Sequence, residues 1–244
     1  MAGAQRQHRT LNFFAMKPGL TAQKFFRERE QGLSVDFLLA LPEGYGADAA
    51  KRWPLILFLH GAGERGNDVW KAAIHAPPKF DTPRVKFPFI LVEPLCPAGR
   101  IWSDALLLAL LDEVEGKYAV DTHRVYLTGI SMGGFGTWHL GLSHPEKFAA
   151  IAPICGGGET ILITLAQHYD ADRLAQIQSL GVWAFHGGKD TAVAPEETVR
   201  MVNALERAGC TDCRMTIYSE AEHDSWTQTY ANPELFEWFL RHSR

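Results

Sequence analysis

Val125-Tyr-Leu-Thr-Gly129-Ile-Ser131-Met-Gly133-Gly134-Phe-Gly136-Thr-Trp-His-Leu140 is the stretch on which the reading of this chain turns. An apolar run of strand length, Val125 to Gly129, passes straight into Gly-x-Ser-x-Gly, and a helical pattern over Gly133 to Leu142 follows at once. A serine in so sharp a strand-to-helix turn needs glycine on either side, because the adjoining backbones pack too closely for a Cβ. Its hydroxyl is then held out above the end of a sheet, where a nucleophile belongs. The bland reading, a glycine-rich turn with an idle serine, is disfavoured by the strand before it and the helix after it.

Outward from this segment, apolar runs of strand length recur at Ser34 to Leu41, Leu55 to His60, Phe89 to Glu93, Ala149 to Ile154, Gly181 to His186 and Arg214 to Tyr218. Helical periods lie between and after them, at Leu106 to Lys117, Pro195 to Ala208 and Pro233 to Arg241. Alternation of strand and helix, with strands apolar on both faces, predicts an α/β fold with a mostly parallel central sheet covered by helices on both sides. Residues 21–45 read as an antiparallel hairpin leading into that sheet. No repeat and no Pro/Gly/Ser linker divides the chain, so 1–244 is expected to be one domain, with 1–33 as an amino-terminal extension and lead-in.

A serine hydroxyl is nearly inert at neutral pH, so Ser131 requires a base and an orienting acid. In this context the chain order is Ser, then Asp or Glu, then His. Downstream stand His139, His144, His168, His186, His223 and His242. The strand ending at His186 leads into Gly-Gly-Lys-Asp190, and the next strand leads into Ser-Glu-Ala-Glu-His223-Asp; both are loops at carboxyl ends, where open α/β sheets place their sites. Asp190 and His223 are therefore the expected acid and base. Glu220 and Glu222 are the rival acids. His186 is the rival base but precedes the acid, and it reads as a structural residue at a strand end. A tetrahedral intermediate also needs two backbone donors. Met132, just after the serine, supplies one, and Ala62 in Leu55-Ile-Leu-Phe-Leu-His60-Gly-Ala-Gly-Glu-Arg-Gly66 supplies the other. That loop also spells the dinucleotide fingerprint Gly-x-Gly-x-x-Gly, but only Asn67 to Ile74 lies between it and Pro77-Pro78, too little for the crossover helix such a site opens.

These residues resemble the α/β-hydrolase superfamily, within it the lidless carboxylesterase and predicted-peptidase-like branch that is similar also to phospholipase/carboxylesterases and to feruloyl- or polyhydroxybutyrate-depolymerase-type esterases. The resemblance rests on Leu-Pro-Glu-Gly-Tyr (41–45), His-Gly-Ala-Gly-Glu-Arg-Gly-Asn-Asp (60–68), Arg-Val-Tyr-Leu-Thr-Gly-Ile-Ser-Met-Gly-Gly (124–134), His-Gly-Gly-Lys-Asp (186–190) and Glu-His-Asp-Ser-Trp (222–226). It implies the same triad, Ser131, Asp190 and His223, and the same oxyanion donors, Ala62 and Met132. It departs from dienelactone hydrolases, whose nucleophile is cysteine, since position 131 is serine.

Between Ile154 and Gly181, where many hydrolases insert a cap, the chain offers Cys155-Gly-Gly-Gly158 and about one helix, Thr160 to Leu180. An open, fairly shallow cleft without a cap domain is expected, with Trp102 and Trp226 as candidate substrate-binding walls or as core. Glu64 and Arg65 are expected to brace the neighbouring loop as an ion pair. Cys210-Thr-Asp-Cys213 stands alone, without further zinc ligands, and reads as incidental.

Composition trims the remaining classes. The 24 Lys and Arg against 28 Asp and Glu give a net charge of −4, spread without blocks, so no nucleic-acid partner is expected. The longest apolar runs, Leu55 to Leu59 and Ala105 to Leu111, fall far short of the roughly 20 residues that span a bilayer, so no membrane span is expected either. The amino terminus carries Arg and His where a signal peptide has its apolar core, and four scattered cysteines make no disulfide framework. A cytoplasmic location is expected, with no cofactor and no metal. The expectation is a serine carboxylesterase acting on short-chain or aryl esters, a small-molecule substrate. A peptidase or amidase of the same fold, or a non-catalytic binding protein, are the alternatives, and the oligomeric state is open.

Overall fold

The computed structural model describes residues 19–27, 33–77 and 87–244. Eight strands form one sheet: β1 (Gly19–Arg27), β2 (Leu33–Leu41), β3 (Trp53–Leu59), β4 (Ile90–Pro94), β5 (Val120–Ile130), β6 (Ala150–Ile154), β7 (Gly181–Gly187) and β8 (Cys213–Tyr218). Their order is β1-β2-β4-β3-β5-β6-β7-β8. β1 and β2 pair antiparallel, β2 runs antiparallel to β4, and every pairing from β4 to β8 is parallel. The hairpin and the mostly parallel sheet are thus both as expected.

β3 shows why parallel strands read as unbroken apolar runs. Leu55, Leu57 and Leu59 turn to one face, where they join Leu107 and Leu110 of helix α1 (Asp104–Lys117), Trp138 of α2 (Met132–Ser143) and Met201 of α5 (Glu196–Arg207). Ile56 and Phe58 turn to the other, against Tyr230 of α6 (Trp226–Ala231) and Phe239 of α7 (Pro233–Leu240). With helices on both faces, neither half of the alternation can be polar. Each side chain so buried contributes roughly 1.5–3 kcal/mol relative to exposure.

Three departures from the sequence reading have local causes. β5 begins five residues before Val125 because Asp121 to Arg124 are polar and partly exposed, which hides the strand's first half from a search for apolar period. The single helix expected over Thr160 to Leu180 is two, α3 (Thr160–Tyr169) and α4 (Ala171–Ser179). The break falls at Asp170, whose carboxylate accepts the Arg173 amide at 2.9 Å and caps the second helix. The short α6 carries too few residues to show a period.

The strand order positions the site. From β3 the chain goes to β4 on one side, then crosses to β5 on the other side of β3. Connections leaving the carboxyl ends of β3 and β5 therefore diverge and open a crevice at the sheet's switch point.

Candidate active site

Ser131 occupies the tip of the β5–α2 turn, with φ 52° and ψ −115°. This left-handed backbone costs a non-glycine residue of order 1–3 kcal/mol and persists only where its surroundings hold it. The Ser131 amide donates to Ile154 O at 3.0 Å and lies 3.3 Å from Cys155 Sγ, while Ser131 O accepts from the Phe135 amide at 3.0 Å. The flanking glycines are required by close approach: a Cβ on Gly133 would stand 1.8 Å from Leu59 O, and one on Gly129 would stand 2.5 Å from Gly133 O.

The two loops singled out in sequence meet this hydroxyl. His223 Nε2 lies 2.9 Å from Ser131 Oγ, and His223 Nδ1 lies 2.7 Å from Asp190 Oδ2. A carboxylate only accepts, so Nδ1 carries the hydrogen and Nε2 is left to accept from the serine. The Asp190 side chain is fully buried. Burial pushes its carboxyl up, but the Val193 amide, His223 and the Ala192 amide together hold it below the usual aspartate range. Those amides donate to Oδ1 at 3.0 and 2.8 Å, so the donors around this carboxylate favour its ionised form.

Ala62 and Met132 are the first residues of a 3₁₀ turn (Ala62–Glu64) and of α2. The first amides of a helical turn have no partner within it, so both are free to donate. The loop carrying Ala62 is braced by His60, a residue the sequence reading passed over. Its Nδ1 donates to Gly61 O at 2.6 Å and its Nε2 accepts from the Cys96 amide at 2.9 Å. Burial holds this imidazole below the usual histidine range, which keeps it neutral and able to do both. In sequence it stands as the end of the Leu55 to His60 run and the first residue of the motif at 60–68, with no sign of what it would brace.

A cavity of about 840 Å³ opens beside Ser131, with Ile101, Trp102, Phe135 and Val193 as its apolar wall and His139, Glu159 and Arg200 in its polar rim. Trp102 is held there by its Nε1 donating to His60 O at 3.3 Å. Trp226 does not line this cavity; its ring packs edge-on against His223 with centroids 5.6 Å apart and meets His75 at 5.2 Å.

The family model described as "Putative esterase" matches residues 96–224, just over half of the chain and the whole span from before α1 to the His223 loop. This chain belongs to the esterase family. Among curated relatives this chain is 31% identical over 136 residues to the bifunctional acetylxylan esterase/xylanase XynS20E of Neocallimastix patriciarum, covering 53% of this chain and 19% of that protein. It is 31% identical over 129 residues to "Probable feruloyl esterase C" of Aspergillus terreus, covering 50% of this chain and 46% of the relative. The chain therefore spans less than half the length of either. Among solved structures, a thermostable esterase superposes with a TM-score of 0.77 at 31% identity, over 92% of this chain and 63% of that one. A ferulic acid esterase superposes with a TM-score of 0.70 at 18% identity, covering 93% and 99%, a likeness of fold. Together with the sheet order, these neighbours give the esterase the α/β-hydrolase fold.

Of the remaining candidates, His139 lines the cavity and the others lie outside its lining. His139 bridges Asp104 and Glu159, His144 neighbours Asp104 and Glu146, and His242 pairs with Asp212. Glu220 is held by Lys189 on the exposed side of its loop. His186 meets Asp190 rather than Ser131, 3.2 Å from Oδ2. The expected Glu64–Arg65 pair is replaced by other partners, because the two side chains diverge. Glu64 lies 4.0 Å from His60 and 3.6 Å from His75, while Arg65 donates to the carbonyls of Ala62 and Arg100. Among the described residues no helix is long and apolar enough to cross a membrane.

Proposed function

We propose that this esterase is a serine carboxylesterase that hydrolyses short-chain or aryl carboxylic esters through an acyl-enzyme on Ser131. The observation that carries the reading is the unbroken relay from Ser131 Oγ through His223 to a buried, ionised Asp190. His223 Nε2 takes the Ser131 proton as Oγ bonds to the ester carbonyl carbon. The negative oxygen so formed receives hydrogen bonds from the Ala62 and Met132 amides. On collapse, His223 returns the proton to the leaving alcohol. Water, deprotonated by the same imidazole, then adds to the acyl carbon; the acyl–Ser131 bond breaks, His223 returns the proton to Ser131 Oγ, and the carboxylic acid leaves. Asp190 keeps the hydrogen on Nδ1 and stabilises the transient imidazolium. Trp102, Ile101 and Phe135 offer an aryl group apolar contact beside Ser131, with Trp226 buttressing His223 from the other side. The four cysteines stand as free thiols, which suits a reducing, cytoplasmic setting.

The test is a panel of acetyl, butyryl, octanoyl and feruloyl esters, run with matched amides and with covalent labelling by a fluorophosphonate. Wild type is expected to hydrolyse the short and aryl esters and to be labelled, and Ser131→Ala to do neither while keeping its circular dichroism spectrum. Turnover retained by Ser131→Ala would overturn the reading.

A further inference from the structure

Asp190 has two imidazoles within 3.2 Å of Oδ2, of which the proposed mechanism uses one. His186 closes β7 with its side chain fully buried, and Thr198 of α5 is equally buried beside it. His186 Nε2 donates to Val193 O at 3.0 Å and lies 3.2 Å from Asp190 Oδ2, so its N–H dipole stands beside the carboxylate. His186 Nδ1 lies 2.8 Å from Thr198 Oγ1, whose hydroxyl donates to it. That hydroxyl thereby fixes the tautomer and strengthens the donor on the opposite side of the ring. Oδ1 is occupied by the Ala192 and Val193 amides, and Oδ2 is bonded to His223 Nδ1 with His186 Nε2 3.2 Å away.

We propose that His186, set by Thr198, is a positioning residue that acts through Asp190: it anchors Oδ2 in line with His223 Nδ1 and draws part of the carboxylate's charge away from the base. The inference rests on the triad reading above. Without the His186 donor, the charge of Asp190 falls on His223 alone, its imidazolium is stabilised, and the base stays protonated to higher pH. The other ionisable groups nearby stay in place: Glu222 and Asp224 flank His223 in the chain, Lys189 is engaged by Glu220, and His75 lies beyond the Trp226 ring.

The experiment compares His186→Leu, His186→Gln and Thr198→Val by pH profiles of kcat and kcat/KM for p-nitrophenyl acetate. A glutamine amide places an N–H where His186 Nε2 stands, whereas leucine fills the space without a donor. For His186→Leu the acid limb of kcat/KM should move up by about half a pH unit or more and kcat fall about 10-fold or more, with KM within about twofold because residue 186 does not line the cavity. His186→Gln should restore the limb to near its wild-type position. Thr198→Val removes one hydroxyl at nearly constant volume and should shift the limb in the same sense by less, which keeps the test alive if the leucine variant does not fold. Coincident limbs in wild type and the leucine variant, a glutamine variant no better than leucine, or an unshifted Thr198→Val where leucine fails to fold would each overturn the proposal. Labelling separates the two levels: a wild type that is neither labelled nor active sinks the triad reading, whereas a labelled wild type with unmoved limbs sinks the His186 inference alone.

Discussion

Replacing Gly133 by alanine should push the nucleophile helix off the central strand. The added methyl would sit 1.8 Å from Leu59 O, 2.5 Å from Leu59 C and 2.8 Å from His60 O, where ordinary contact begins near 3.4 Å, so α2 and β3 must part by about 1.6 Å. All three obstructing atoms are backbone at the carboxyl end of the central strand β3, and none can rotate aside. Overpacking of this kind costs about 1–3 kcal/mol in general, and here belongs at or above the top of that range. Alanine's better helix propensity returns at most about 1 kcal/mol. For a chain of this length a net loss of a few kcal/mol lowers the melting temperature by about 10 °C. The same displacement carries the Met132 amide and Ser131 away from His223, and an error of about 1 Å in reacting groups costs about 100-fold in rate. Scanning calorimetry and p-nitrophenyl acetate turnover, measured well below the melting transition, check both. Gly116→Ala, in α1 with nothing within 4 Å of the added carbon, is the control and should stabilise by about 0.5–1 kcal/mol. A Gly133→Ala protein melting within about 2 °C of wild type, or retaining a third or more of its kcat, would refute the reasoning.

Two further outcomes are expected. Asp190→Asn presents an amide donor to His223 Nδ1, favours the tautomer that cannot accept from Ser131, and should lower kcat by about 10³–10⁴-fold. A loss below about 10-fold in esterase assays would exclude Asp190 as the orienting acid. Glu93, near the end of β4, is buried, its Oε2 has no hydrogen-bond partner among the described residues, and burial pushes its carboxyl up to about 8. Between its ordinary value of 4.5 and about 8 the folded protein therefore holds a proton that the unfolded chain releases. That contribution to stability is complete below this window and is lost as pH rises through it, by up to about 1.4 kcal/mol per unit. Glu93→Gln should melt like wild type near pH 5 and above it at pH 8, and parallel pH profiles of the two melting temperatures would contradict the assignment.

Much of the fold and site was legible because it is locally encoded. The glycines at 129 and 133 are needed where three backbones touch, Asp190 follows β7, a continuous buried run, and His223 follows β8, a half-exposed edge strand that alternates with Arg214 and Thr216. What stayed illegible was partnering across distance. His60 carries no sign of the Cys96 amide that completes its bracing of the Ala62 loop, and Glu64 and Arg65, adjacent in the chain, find partners elsewhere. The break at Asp170 was hidden because helical period continues on both sides of it.

The chain by itself determined the alternation of strand and helix, the strained turn at Ser131 and the order of Ser131, Asp190 and His223, since each depends on residue type within a few positions. Only the tertiary structure decided which nitrogen of each histidine meets which oxygen, that His186 as well as His223 stands beside Asp190, and that Trp102 walls the cavity while Trp226 packs against His223. Those outcomes depend on the strand order and on the angles at which loops leave the sheet, which bring residues 33 and 92 positions apart in the chain to within hydrogen-bonding distance.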